Sequence, residues 1–123
     1  MNLYQRVKAL EKLGNILSSI GENRSWKGFD LGITENEYNA LEELTRSVRI
    51  FNGWFTEKEV KNSFKAWGNQ LSLENIEKWI KSYNLDDIES NKEVGIIMAG
   101  NIPLVGFHDY VCCYIAGYKS KIK

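Results

Sequence analysis

The chain has 123 residues, which is enough for one small domain but few for a complete cofactor-dependent enzyme. Its 16 basic residues balance its 16 acidic residues, so net charge gives no attraction to nucleic acid or to a membrane surface. Apolar runs fall short of the ~20 residues that a membrane span needs, and the N-terminus lacks the basic-then-apolar order of a secretory signal.

Residues 1–90 are predicted to form a helical region. Apolar side chains recur at helical spacing from Leu3 to Leu17, which predicts an amphipathic helix that continues to about Ile20 and stops at Gly21. Residues 21–32 are rich in glycine and small polar residues, and this composition predicts a loop that packs around Trp26 and Phe29.

Three further helices are predicted from their N-terminal caps. Thr34 with Glu37 and Thr56 with Glu59 have the spacing of a capping box, and Ser72 is expected to cap a third helix. Each of these helices carries one apolar face, so together they are expected to form a helical layer. Three tryptophans are expected to anchor the core of this layer: Trp54, Trp67 and Trp79.

Residues 91–123 are predicted to form one βαβ unit after the polar stretch 85–92. The apolar run 94–99 favours a strand buried on both faces, and the following turn ends at Pro103, which suits the first turn of a helix. A helix is expected over residues 104–116, apolar on nearly every side, and a second strand over residues 118–123.

The predicted fold class is therefore α/β, mostly helical, with a first part over residues 1–90 and a second over residues 91–123. Two parallel strands make a poor sheet by themselves, and a helix that is apolar all round needs cover on several sides. We therefore expect the chain to be a fragment of a larger α/β protein. The missing cover would come from the rest of a parent chain or from a second copy in a homo-oligomer.

Two stretches of the sequence are distinctive. Residues 95–109 contain Ala-Gly-Asn-Ile-Pro-Leu, and residues 52–57 read Asn-Gly-Trp-Phe-Thr-Glu. Both resemble the bacterial acyl-CoA reductase family that includes the fatty-acyl reductase of bacterial bioluminescence, within the aldehyde dehydrogenase superfamily. The resemblance implies an N-terminal fragment of an oxidoreductase of fatty acid metabolism. Such an enzyme reduces a fatty acyl-CoA to an aldehyde with NADPH, through a thioester on a cysteine outside this chain.

The resemblance implies roles for the turn after the first strand and for the last lysine. Asn101 would donate its side-chain amide to the oxyanion of the thiohemiacetal intermediate, where a fixed donor lowers the barrier. The cofactor NADP would contact a set of residues around this turn and, through its adenosine ribose, the second strand. These implied cofactor-binding residues are Ala99, Gly100, Ile102, Pro103 and Lys123. From the residues alone, a helix N-cap is the favoured interpretation of Asn101, and only the resemblance favours the oxyanion role. Lys123 serves equally well as a solvated strand end.

The remaining reactive side chains allow a functional and a structural interpretation. Adjacent helical residues point about 100° apart, so His108 and Asp109 are not expected to form a catalytic dyad. His108 has a substrate-side role or is simply packed. Cys112 and Cys113 do not match the family nucleophile and are expected to be free structural thiols in a reducing, cytoplasmic setting. With a single histidine, no metal site is expected.

Two function classes follow from these observations. The first is the partial NADPH-dependent reductase, with acyl-CoA as the substrate of the parent enzyme and neither nucleic acid nor a membrane span involved. The second is a non-catalytic binding or structural module, left by truncation, whose βαβ unit docks on a partner.

Overall fold

The computed structural model describes residues 1–85 and 90–123, and it is mostly helical with a small two-stranded parallel sheet. This composition agrees with the predicted mixed α/β class. The polar stretch predicted between the two parts falls partly on residues 86–89, which lie outside the described residues. In chain order the elements are α1 (Leu3–Gly21), α2 (Glu35–Arg46), α3 (Val48–Phe51), α4 (Glu57–Gln70), α5 (Leu73–Ile80), β1 (Glu93–Ile96), α6 (Phe107–Ile115) and β2 (Lys119–Ile122).

The predicted helix caps are confirmed. Thr34 Oγ1 accepts a hydrogen bond from the backbone N–H of Glu37, and the Glu37 carboxylate accepts one from the backbone N–H of Thr34 at 2.8 Å. Thr56 and Glu59 repeat this arrangement at the start of α4. Ser72 caps α5 through its hydroxyl oxygen. These caps satisfy backbone donors that no intrahelical carbonyl reaches, and they therefore fix where each helix begins.

The core lies where α1 packs against α4. Small residues let the two backbones approach closely: a Cβ atom on Gly68 would lie 2.8 Å from the backbone nitrogen of Ser18 and 2.9 Å from the carbonyl oxygen of Gly14. Apolar side chains from both parts of the chain fill the core. They include Leu10, Leu17, Ile20, Tyr38, Val60, Phe64, Leu71, Ile76, Val111 and Ile115.

The prediction of a packed loop between α1 and α2 is confirmed for Trp26, which packs against the core, and is wrong for Phe29, which is 74% exposed. Tyr38 is completely buried, and its hydroxyl hydrogen-bonds with the Ser19 hydroxyl at 2.8 Å and the carbonyl of Arg24 at 2.7 Å. The Trp26 indole donates to the carbonyl of Ile33 at 3.1 Å. These bonds connect the loop to α1 and α2. They also give the Tyr38 hydroxyl and the Trp26 indole the hydrogen-bond partners that buried polar groups require.

A buried arginine joins the helical part to the βαβ unit. Arg6 on α1 is 5% exposed, and its Nε donates to the carbonyl of Ile115 at 3.2 Å. Ile115 is the last residue of α6, where the helix leaves carbonyls without intrahelical donors. A positive charge at this end also interacts favourably with the helix dipole.

The βαβ unit forms, but its sheet is more exposed than predicted. β1 and β2 pair in parallel, in a register that runs from Glu93 opposite Lys119 to Ile96 opposite Ile122. The prediction that the first strand is buried on both faces is wrong, because α6 covers only one face and Ile97, just beyond β1, is 87% exposed.

Two further expectations are also wrong. α6 begins at Phe107 rather than at Leu104, so Gly106 precedes the helix instead of lying inside it. Leu104 has φ of 59°, a left-handed conformation that cannot start a right-handed helix. Trp54, expected in the core, is 77% exposed, whereas Trp67 and Trp79 pack against the core as predicted.

Candidate functional site

The turn between β1 and α6, residues 97–106, is the candidate site. It leaves the carboxyl end of β1, which is the edge where open parallel sheets bind their ligands. Ala99, Gly100 and Asn101 are exposed, and Ile102 is 54% exposed. No atom would lie within 4 Å of a Cβ built on Gly100, so the backbone there is open to close approach.

Two side chains from the helical part hold this turn. Asn52 Nδ2 donates to the carbonyl of Gly100 at 2.8 Å, and Ser63 Oγ donates to the carbonyl of Pro103 at 3.4 Å. The first bond joins the two stretches on which the family resemblance rests. Asn52 also accepts the backbone N–H of Trp54 at 3.0 Å, so its amide is fixed at both ends.

Asn101 is not a helix cap. The N-cap of α6 is Gly106, and no side chain bonds to the first turn of that helix. Asn101 lies five residues before it. Within residues 1–85 and 90–123, the side-chain amide of Asn101 makes no hydrogen bond, and it is exposed. The structural alternative raised by the sequence is therefore excluded, and the amide is available to a ligand.

Lys123 lies beside the turn at the same sheet edge. Its backbone N–H donates to the carbonyl of Ile96 at 2.9 Å, and its carbonyl accepts the N–H of Met98 at 2.9 Å. The structure therefore brings Lys123 next to the residues that lead into the turn. Lys121, by contrast, pairs with Glu93 at 2.7 Å on the exposed face of the sheet, as a solvated strand position does.

Two residues of the turn line an apolar pocket that was not predicted from the sequence. Pro103 and Leu104 are half-buried and close one side of a cavity of about 160 Å³. Its other walls come from α2, α3 and α4 and the loop before α4. Those wall residues are Leu41, Leu44, Thr45, Val48, Phe55, Val60 and Phe64. The helical stripes give the only sequence signal for this pocket.

His108 does not join this turn. Its ring lies 6.4 Å from that of Trp67 and 6.2 Å from that of Trp79, in a cleft between α4, α5 and α6. This cleft and the apolar pocket share no lining residue. Asp109 is exposed, and within the described chain neither it nor His108 forms an ion pair.

The cysteines are free, as predicted, and both are half-buried. Burial, together with the negative charge of Asp109 and the neighbouring Cys113, raises the pKa of the Cys112 thiol. Cys112 Sγ lies 3.7 Å from Nδ1 of His108. A raised pKa keeps this thiol protonated at neutral pH, so Cys112 lacks the thiolate character of a nucleophile.

Two further findings concern residues 1–85 and 90–123. No three side chains of His, Cys, Asp or Glu come together as metal ligands there. Every helix in that part is too short or too polar to cross a lipid bilayer.

Comparison with known proteins gives no relative. No family model, no curated protein and no solved structure matches this chain. The site is therefore defined by its own geometry: an exposed asparagine amide, an open glycine and a lysine at the carboxyl edge of a parallel βαβ unit.

Proposed function

We propose that the chain is the N-terminal portion of an NADPH-dependent acyl-CoA reductase. The observation that carries the proposal is the hydrogen bond from Asn52 to the carbonyl of Gly100. It links two stretches, 48 residues apart, that each resemble the same family, and it fixes the turn that presents Asn101. In this proposal the βαβ unit is the first unit of an aldehyde-dehydrogenase-like cofactor domain in a cytoplasmic enzyme.

Asn101 is the oxyanion donor in the proposed reaction. When a cysteine thiolate attacks the acyl-CoA carbonyl, negative charge develops on the carbonyl oxygen, and the free amide N–H of Asn101 stabilises it. Coenzyme A then leaves as the thiol, and the enzyme-bound acyl group is reduced to the aldehyde. In this proposal the attacking cysteine belongs to the rest of the parent enzyme, because Cys112 and Cys113 both lie on α6 and neither has the sequence context of the family nucleophile.

The residues around the turn fit a nicotinamide cofactor. Gly100 leaves open space for a flat ring, and the exposed Ala99 and Ile102 lie on either side of it along the chain. Pro103 holds the turn against the apolar pocket, and the Lys123 ammonium supplies positive charge for a ribose phosphate. The cofactor, when bound, supplies the hydride, while these residues bind and orient it.

The apolar pocket is consistent with a fatty acyl substrate. Its lining is aliphatic and aromatic except for Thr45, whose hydroxyl donates to the carbonyl of Leu41 at 2.8 Å. A cavity without free polar groups favours a hydrocarbon ligand. An apolar chain that moves from water into the cavity leaves no buried hydrogen-bonding group unpaired.

The decisive experiment is an activity assay on the protein encoded by the complete reading frame that contains this chain. The protein is expected to consume NADPH in the presence of a fatty acyl-CoA. Asn101→Ala is expected to lower turnover about 10²–10³-fold with little loss of substrate binding, because the amide acts on charge that develops in the transition state. Asn39→Ala, an exposed asparagine on α2, is the control. Unchanged turnover in Asn101→Ala would refute the oxyanion role.

A second candidate function is a non-catalytic binding module. The exposed outer side of the sheet favours it, because Ile97, which follows β1 on that side, is 87% exposed. Such surface is characteristic of a protein interface. If the same assay shows no acyl-CoA-dependent loss of NADPH, while the protein forms a stable complex through this face, the module is the better description.

A further inference from the structure

The cleft between α4, α5 and α6 is a second candidate binding site, separate from the turn. It has a volume of about 570 Å³, within the range of small-molecule sites. Its floor is made of three buried apolar side chains: Leu71, which directly follows α4, Ile76 on α5 and Val111 on α6. A cleft of this size over an apolar floor accommodates a ring system of the size of a purine nucleotide.

Four aromatic rings line this cleft, those of Trp67, Trp79, Tyr83 and His108. Trp67 packs edge-to-face on Phe107, with ring centroids 4.8 Å apart. Trp79 packs edge-to-face on Tyr83 at 6.4 Å, and the ring of His108 lies within 6.4 Å of both indoles. Rings held by neighbours lose little rotational freedom when a planar ligand stacks on them, so the cleft is preorganised for an aromatic ligand.

The polar groups of the cleft indicate the charge of its ligand. Lys78 lines the cleft and forms no ion pair within the described residues. The carboxylates on the same helix, Glu74 and Glu77, do not line it. The side-chain amides of Gln70 and Asn75 also line the cleft and provide donors and acceptors for the edge of a heterocycle. The cleft therefore complements a planar ring that carries a negative charge.

We propose that this cleft binds a purine nucleotide, with the base against the tryptophan rings and the phosphate near Lys78. The proposal does not depend on acyl-CoA reduction, because the cleft shares no residue with the turn 97–106. Failure of the Asn101 experiment would leave it intact, and failure of nucleotide binding would leave the reductase proposal intact.

The contribution of the ligand's negative charge is tested by isothermal titration of the full chain with adenosine 5′-monophosphate, adenosine and inorganic phosphate. The nucleotide is expected to bind more tightly than adenosine, and phosphate alone to show no saturable binding. Lys78→Gln is expected to weaken nucleotide binding about fivefold and to leave adenosine binding unchanged. Lys81→Gln, an exposed lysine one turn further along the chain and outside the cleft, is the matched control. Absence of saturable nucleotide binding, or equal effects of the two substitutions, would overturn the proposal.

Stacking of the base on the tryptophan rings is tested by Trp79→Leu. Trp54→Leu is the control, because it removes an exposed indole outside the cleft. Trp79→Leu is expected to weaken both nucleotide and adenosine binding about tenfold, because stacking on an indole contributes to both. Equal affinity in the two variants would contradict the stacking. Circular dichroism checks that Trp79→Leu folds, and the Lys78 comparison decides the question if it does not.

The nucleotide has two chemical sources, a free nucleotide and the adenine end of a larger coenzyme. Titration with coenzyme A separates them. Tighter binding of coenzyme A than of adenosine 5′-monophosphate would support the proposal with a coenzyme as the source. Equal or weaker binding would support it with a free nucleotide.

Discussion

Single side chains decide how the turn 97–106 is presented. Asn52 reaches from the helical part with both ends of its amide engaged, one on the carbonyl of Gly100 and one on the backbone N–H of Trp54. Leu104 adopts φ of 59°, which a non-glycine residue adopts only at a cost of about 1–3 kcal/mol. Its half-buried side chain in the apolar pocket offsets that cost, so the turn is held by contacts from a different part of the chain.

Removing the donor of Asn52 is expected to loosen this turn. Asn52→Ala loses both hydrogen bonds and is expected to lower the free energy of unfolding by about 1–2 kcal/mol, measured by urea denaturation. Asn52→Asp keeps an oxygen that can accept the Trp54 N–H but has no donor for Gly100. It is therefore expected to lower turnover in the complete enzyme as Asn52→Ala does. Full turnover in Asn52→Asp would show that the hydrogen bond from Asn52 to the Gly100 carbonyl is not needed for catalysis.

The cap of α2 makes stability depend on pH through Glu37. Hydrogen bonds from the backbone N–H and the hydroxyl of Thr34 lower the pKa of Glu37 from its ordinary value of 4.5. A lowered folded-state pKa contributes stability above the unfolded value of 4.5, and this contribution is lost as the pH falls through the folded value. Glu37→Ala is therefore expected to unfold more easily than the wild type at neutral pH, and the difference is expected to shrink in acid.

Urea denaturation at several pH values checks this expectation. Glu35→Ala removes a carboxylate from the same helical turn that takes no part in the cap, and it serves as the control. A destabilisation by Glu37→Ala that stays constant from neutral pH into acid would contradict the assigned role of the Glu37 charge.

At the scale of secondary-structure elements, the α1–α4 contact holds the helical part together. The glycines Gly14, Gly21 and Gly68 leave no room for a Cβ atom between the two backbones. Helices at this distance interlock, because neither can move apart without opening a cavity in the core. The apolar pocket and the cleft both use α4, so its position on α1 sets the geometry of both.

Gly68→Ala is expected to lower the free energy of unfolding by about 1–3 kcal/mol, because the new methyl group collides with backbone atoms of α1. The matched control is Gly53→Ala, where nothing lies within 4 Å of the added Cβ atom. Thermal or urea denaturation compares the two variants. Equal stability of both would show that α1 and α4 adjust their distance freely.

The elements that local sequence determines were predicted well. The caps at Thr34, Thr56 and Ser72 depend on residues at most three positions apart, and all three form. The start of α6 was misplaced because a proline suits a helix start, whereas the left-handed Leu104 that delays the helix is imposed by packing. A sequence pattern reports local preference, and it contains no information on that packing.

In the candidate site, too, local features were predicted from the sequence and contacts between distant segments were not. The turn that follows the first strand was predicted from the sequence. The bond from Asn52 to Gly100 spans 48 residues, and the buried Arg6 occupies a helix position that no polar residue is expected to fill. Both depend on how distant segments pack, which composition and periodicity do not encode.

At the scale of the whole molecule, the βαβ unit is covered on one side only. α6 covers one face of the sheet, while the other carries Ile97 beside charged residues such as Lys121 and Glu93. Both strands also have an edge that pairs with no other strand among the described residues. Open edges and exposed apolar side chains favour association with another chain. The packing thus gives a reason, independent of any resemblance, to expect a partner for this sheet.

The isolated chain is accordingly expected to associate in a concentration-dependent manner in sedimentation velocity experiments. Ile97→Lys places a charge on the open side of the sheet and is expected to shift the equilibrium towards monomer without loss of helical circular dichroism, because an 87% exposed side chain supports no core contact. Ile50→Lys is the matched control, since Ile50 is 82% exposed but lies on α3, away from the sheet. A wild-type chain that remains monomeric at every concentration would contradict this expectation, because the sheet would then be stable with only one face covered. Equal effects of the two substitutions would place the association outside the sheet.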